Sequence, residues 1–141
     1  MTWTFEQGRR LHPLHALLLG FPISLFSAAV VTDIAYLRTS EIQWSNFSAW
    51  LIVGGLVFGG LVGLWAIADL IRVWRRMGRG RAVAYVVALA GMWILALVNA
   101  FQHSRDGWSS VGAAGLALSI LSGLLALIAG LIAYSGREGA A

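Results

Sequence analysis

Four runs of the chain contain no Asp, Glu, Lys or Arg: Leu11–Thr32, Ile42–Ala68, Ala82–Ser104 and Gly107–Gly136, of 22, 27, 23 and 30 residues. A helix needs about 20 mostly apolar residues to cross a hydrocarbon core roughly 30 Å thick, so each run is long enough. None carries the polar face that a helix of a water-soluble bundle needs. The pattern predicts four transmembrane helices at roughly 13–37, 47–74, 82–104 and 110–134. Helices of this kind satisfy their own backbone hydrogen bonds, which lipid cannot do for them. The joining segments Arg38–Asn46, Arg75–Arg81 and Arg105–Ser109 are too short to hold a domain. The expected fold is therefore all-α: one integral-membrane four-helix bundle spanning residues 1–141. Arg9 and Arg10 precede the first run, as in a secretory signal. That run is too long for one, holds Pro13 and reaches Asp33, so it is expected to be a retained helix.

Composition and charge sharpen this reading. Apolar residues make up 59 % of the chain and charged ones 11 %, against about 25 % charged in a soluble domain. There is no cysteine, which excludes disulfides, thiolate metal sites, iron–sulfur clusters and covalently attached haem. The net charge is +4, and all ten basic residues are arginine. They are unevenly shared. Arg9, Arg10, Arg72, Arg75, Arg76, Arg79 and Arg81 fall on one side of the expected membrane, Arg38 and Arg105 on the other. Such asymmetry reports orientation and not nucleic-acid binding, and it places both termini and the second loop in the cytoplasm. Trp44, Trp50 and Trp108 then lie at the outer interface and Trp74 at the inner one, as an aromatic belt.

Small residues recur at four-residue spacing. Gly55, Gly59 and Gly63 form a ridge on the second helix. Gly115, Ser119 and Gly123 form one on the fourth, with Ser122, Ala126 and Gly130 beside it. Such ridges let helix backbones approach closely in lipid, so they are expected in helix packing. Pro22, inside the first helix, leaves the carbonyl of Leu18 without its helical donor.

Polar residues within the apolar runs are costly in a bilayer and therefore informative. At helical spacing His15, Pro22, Phe26, Ala29 and Asp33 share a face of the first helix, and Tyr85, Met92, Ala96, Asn99 and His103 a face of the third. His15 and Asp33 are 18 residues apart, or about 27 Å along a helix axis. The topology gathers the polar residues into two layers. The inner layer comprises His12, His15, Asp69, Arg72 and Tyr85, and the outer layer Asp33, Asn99, His103, Arg105 and Asp106. Each reads either as a set of structural pairs, Asp69–Arg72 being the most local, or as a proton, ion or cofactor site. His15 and His103 are the candidate axial ligands for a haem b or a chlorin. One membrane crossing separates the N-terminal histidines from His103, so they cannot bracket one iron within a monomer. No metal site is expected. Ser104 and Ser109 lie near His103, but no hydrolytic motif, phosphate-binding loop or dinucleotide fingerprint is present, and no catalytic residues are assigned.

The run "LHPLHALLLGFPISLFSAAVVTDIAYL" resembles the opening of a bacterial predicted-membrane-protein family known as domain of unknown function 2231, matching at His12, Pro13, His15, Pro22 and Asp33. "GLWAIADLIR", with Gly63 and Asp69, resembles its second helix. "NAFQHSRDGWSSVGAAGLALS" resembles its third-to-fourth helix junction at Asn99, His103, Arg105, Asp106, Trp108, Gly115, Leu116 and Ser119. Some relatives carry a histidine near the start of the third helix, where this chain has Tyr85. The resemblance implies a four-helix protein of the bacterial inner membrane and supplies no activity. With no soluble domain to do chemistry, the first expectation is a non-catalytic accessory or structural subunit. Its partners would be lipid and either other membrane subunits or further copies of itself, with the arginine cluster as an anchor. The alternatives are a haem- or pigment-binding redox protein and a component of proton or small-ion transport.

Overall fold

The computed structural model describes residues 11–75, 79–105 and 111–135. Four helices follow one another: α1 (Pro13–Thr39), α2 (Ile42–Val73), α3 (Gly80–His103) and α4 (Ala113–Tyr134). All four are long and apolar enough to cross a membrane. There is no strand among the described residues.

Local chemistry sets the ends of α1. His12 caps it, its Nδ1 accepting from the Leu14 N–H at 3.2 Å. Pro13 sits in the first turn, where its missing N–H costs nothing. At the other end Ser40 adopts a left-handed conformation (φ 57°) and donates its N–H to Tyr36 O at 2.8 Å. That closes the helix and reverses the chain. The sequence pattern put the start of the second helix near 47, but α2 begins at Ile42, and only Ser40 and Glu41 separate it from α1. The polar segment before 47 is helical because Ser45 and Ser48 point into the bundle and are buried. The fourth helix begins at Ala113, later than expected, after Gly112 in an extended conformation.

α1 packs on α2 and α4, and α3 on the same two, so α1 and α3 face each other across a diagonal. Their buried or part-buried positions step by four and three in turn: 15, 19, 22, 26, 29, 33 on α1 and 85, 89, 92, 96, 99, 103 on α3. α2 buries 45, 48, 52, 55, 59, 62 and 66, and α4 buries 115, 119, 122, 126 and 129. A mean step of 3.5 is the seam of a left-handed supercoil, with side chains seated in holes of the facing helices.

The seam is shared unequally. α1 and α3 contribute bulk, including Leu19, Phe26, Leu89 and Met92, while α4 contributes only Gly, Ser and Ala. The ring of Phe26 lies over Gly55, where a Cβ would stand 2.5 Å from Cε1, and Met92 lies over Gly59, where a Cβ would stand 2.9 Å from Cε. Gly123 faces the Phe26 backbone, and Gly115 is buried. Gly63 differs from the rest of its ridge: a Cβ there would meet nothing within 4 Å. The ridge steps by four and the seam by 3.5, so the third glycine has drifted out of it.

Candidate functional site

Both bridges across the diagonal join α1 to α3, one at each end of the bundle, and each links residues 70 positions apart. The equal offset means that the two helices run parallel and in register. It brings the polar residues of one end opposite each other, as the apolar residues between them also are.

At the end holding the α1–α2 turn, Asp33 is wholly buried, and His103 Nε2 lies 2.9 Å from its Oδ1. Ser119 Oγ, from α4, lies 2.5 Å from Asp33 Oδ2. The Asn99 side-chain amide lies 2.7 Å from the same Ser119 Oγ. His103 Nδ1 lies 3.0 Å from the Asn99 backbone carbonyl. α2 completes the cluster with Ser48, whose Oγ is 3.4 Å from both His103 Nε2 and the Ala29 carbonyl. Side chains of all four helices thus meet in one cluster, with Asp33 and His103 at its centre. Asp33, Asn99 and His103 of the expected outer layer are together. Arg105 is exposed, and its guanidinium lies 3.4 Å from the side-chain oxygen of Gln102. Asp106 lies outside the described residues, as do Arg9, Arg10, Arg76 and Trp108.

At the other end His15 Nε2 lies 2.8 Å from Tyr85 OH, and His12 and His15 both pack on Trp65, at ring-centre distances of 5.4 and 5.2 Å. Asp69 and Arg72 pair at 2.9 Å on an exposed part of α2, with Asp69 near enough to His15 and Tyr85 to act on both electrostatically. The expected inner layer thus holds a part-buried His15–Tyr85 bridge and an Asp69–Arg72 pair whose side chains are exposed. Tyr134 OH donates to Ala16 O at 2.8 Å, and Arg81 binds the Ile132 carbonyl and Ser135, tying α3 to the end of α4.

Ser48, Trp65 and Tyr134 were absent from the two expected layers. Ser48 shares the 3.5-residue step of α2, which is the one sequence signal that could have placed it in the seam. Trp65 and Tyr134 meet their partners through the packing of different helices, which no local pattern records. Ser119 was expected as a spacer and instead donates or accepts at the centre of the cluster.

The geometry limits the chemistry. Ser48 and Asp33 both address Nε2 of His103, while Nδ1 faces a backbone carbonyl, so the arrangement lacks the relay of a serine hydrolase, in which acid and nucleophile use different ring nitrogens. Of the two candidate axial ligands, His15 keeps one ring nitrogen, Nδ1, buried without a hydrogen-bond partner among the described residues. Both nitrogens of His103 are engaged, His15 Nε2 is held by Tyr85, and Leu19, Phe26, Ile52 and Met92 fill the seam between the two ends. A porphyrin does not fit there without opening the bundle. Among the described residues no group of three or more His, Asp or Glu side chains could hold a metal ion.

The family model described as "Predicted membrane protein (DUF2231)" matches residues 11–141, nearly the whole chain. The protein belongs to this family. The match spans all four helices and both ends of the α1–α3 diagonal. No curated protein and no solved structure matches the chain significantly.

Proposed function

We propose that the protein is a non-catalytic structural subunit of a larger membrane complex, to which it brings a preassembled four-helix unit. The observation that carries this reading is where the polar groups go. Asp33, His103, Asn99, Ser119 and Ser48 are bonded to one another or to backbone, and the seam beside them is filled. A buried polar network with its members satisfied rigidifies a core and defines one arrangement of it. Function is then left to the outer surface. There, Gly20 and Gly63 have nothing within 4 Å of the place a Cβ would take, so close backbone approach at those points is available to another helix. Transport along the two polar ends draws little support from this interior, because Leu19, Phe26 and Met92 separate them without a polar step.

Extraction from the native membrane in mild detergent, followed by native mass spectrometry, tests the reading. We expect the chain within a larger assembly. Gly20→Leu and Gly63→Leu are expected to reduce recovery of that assembly while leaving the isolated bundle as stable as before. Recovery of the chain only as a bare monomer overturns the proposal.

A further inference from the structure

The last turns of α2 place cations at the end of an apolar, lipid-facing stripe. Leu64, Ile67, Ile71 and Trp74 follow at steps of three or four, so they share one face, and all four are exposed. Arg75, also exposed, comes next on the same side, eight positions after Ile67. A groove of about 500 Å³ is lined by Ile67, Leu70, Ile71, Arg72, Trp74 and Arg75. Eight residues of helix rise about 12 Å, so the groove runs from acyl-chain depth to the level of the headgroups. Trp74 marks that boundary, as tryptophans at bilayer interfaces do.

Three guanidinium groups surround the polar mouth. Arg72 and Arg75 line it, and Arg79 stands over the Trp74 ring, its Cζ 5.2 Å from the ring centre. Among the described residues the acids are Asp33, Glu41 and Asp69, and only Asp69 lies at this end of the bundle. It pairs with Arg72 at 2.9 Å. Both side chains are exposed, so the pair is weak and Arg72 can share its donors with a second anion. Arg75 has no hydrogen bond or ion pair among the described residues. The carbonyls at the end of a helix repel anions, but here Arg79 Nη1 covers the Trp74 carbonyl at 3.4 Å.

We propose that this groove binds one anionic phospholipid, its phosphate on Arg75 and Arg72 and an acyl chain along Ile71 and Ile67. The guanidinium fork matches phosphate oxygens in pairs, and basic pockets beside membrane helices suit anionic headgroups. A zwitterionic lipid carries its own cation to the same place, and the arginines repel it. An acidic protein loop would satisfy the arginines but not the apolar wall below them. An anionic amphiphile matches both halves of the groove. The proposal requires only that the chain span a bilayer, so its failure leaves the proposed assembly standing.

Native mass spectrometry of the full chain, titrated with lipid in detergent, tests the site. One phosphatidylglycerol per chain should bind at least about tenfold more tightly than phosphatidylcholine, since each arginine beside an anionic headgroup contributes about fivefold. Arg75→Gln should cut that preference about fivefold, and Arg72→Gln/Arg75→Gln should cut it further. Arg38→Gln, at the opposite end of the bundle, should leave it unchanged. All three arginines are exposed, so the variants should melt as the wild type does in the same detergent. Equal binding of the two lipids by the wild-type chain overturns the proposal without any variant. An equal loss in Arg38→Gln and Arg75→Gln would reduce the effect to net charge and overturn the site. Displacement of the bound lipid by polyglutamate would assign the groove to an acidic protein and overturn it as well.

Discussion

Asp33 is the residue on which the four helices depend most, because its two oxygens serve partners on two other helices. Asp33→Leu strips His103 Nε2 and Ser119 Oγ of their partner in a place water does not reach. Two orphaned polar groups at about 1–2 kcal/mol each give an expected loss of roughly 2–4 kcal/mol. Denaturation of the purified protein in mixed micelles measures it. The double variant Asp33→Leu/His103→Leu removes both partners at once, and its cost should fall well short of the sum of the single losses. Additive costs would show that the pair does not act as a unit. The candidate residues were legible in the sequence because polar side chains are rare in apolar runs. Their grouping was not. Asp69 and Arg105 satisfied the same criterion as Asp33 and His103, yet their side chains are exposed, since depth and facing direction depend on the partner helix.

At the scale of the helix, the glycine ridge of α2 offers two sites of identical chemistry with opposite surroundings. A methyl at Gly55 would stand 2.5 Å from the Phe26 ring, and one at Gly63 would meet nothing. Gly55→Ala should cost about 1–3 kcal/mol, as overpacking of a filled seam does. Gly63→Ala should be neutral or stabilising by up to about 1 kcal/mol, the helical advantage of alanine over glycine. Thermal melts in one detergent compare the two directly, and equal effects would contradict the seam geometry. The four-residue ridge is visible in the sequence. Which of its glycines meets a neighbour is decided by the 3.5-residue step and by where Phe26 falls on α1. The helix boundary at Ile42 follows the same logic, for burial of Ser45 and Ser48 outweighs the polar composition that made the segment resemble a loop.

For the whole molecule, matched offsets at the two ends of the α1–α3 diagonal make the bundle a rod braced at both faces, with lipid around apolar helices. The arginine distribution gives an orientation that chemistry can test. The chain lacks cysteine, so single cysteines introduced at Gly78 and Gly107 are unambiguous reporters. The positive-inside asymmetry predicts that they react from opposite sides of sealed vesicles, the first from the cytoplasmic side. Labelling of both from one side would remove the assigned topology.

What the sequence determined by itself is the number of membrane crossings, their approximate limits and the faces on which polar residues lie. These properties follow from the length of apolar runs and from helical periodicity, both local along the chain. The tertiary structure alone decided that α1 and α3 stand in register across a diagonal, that Asp33 meets His103 and Ser119, and that His15 meets Tyr85. Those pairings depend on the relative rotation and height of separate helices. Rotation and height come from seating Phe26 and Met92 in the gaps that Gly55 and Gly59 leave open, and no single helix contains that information.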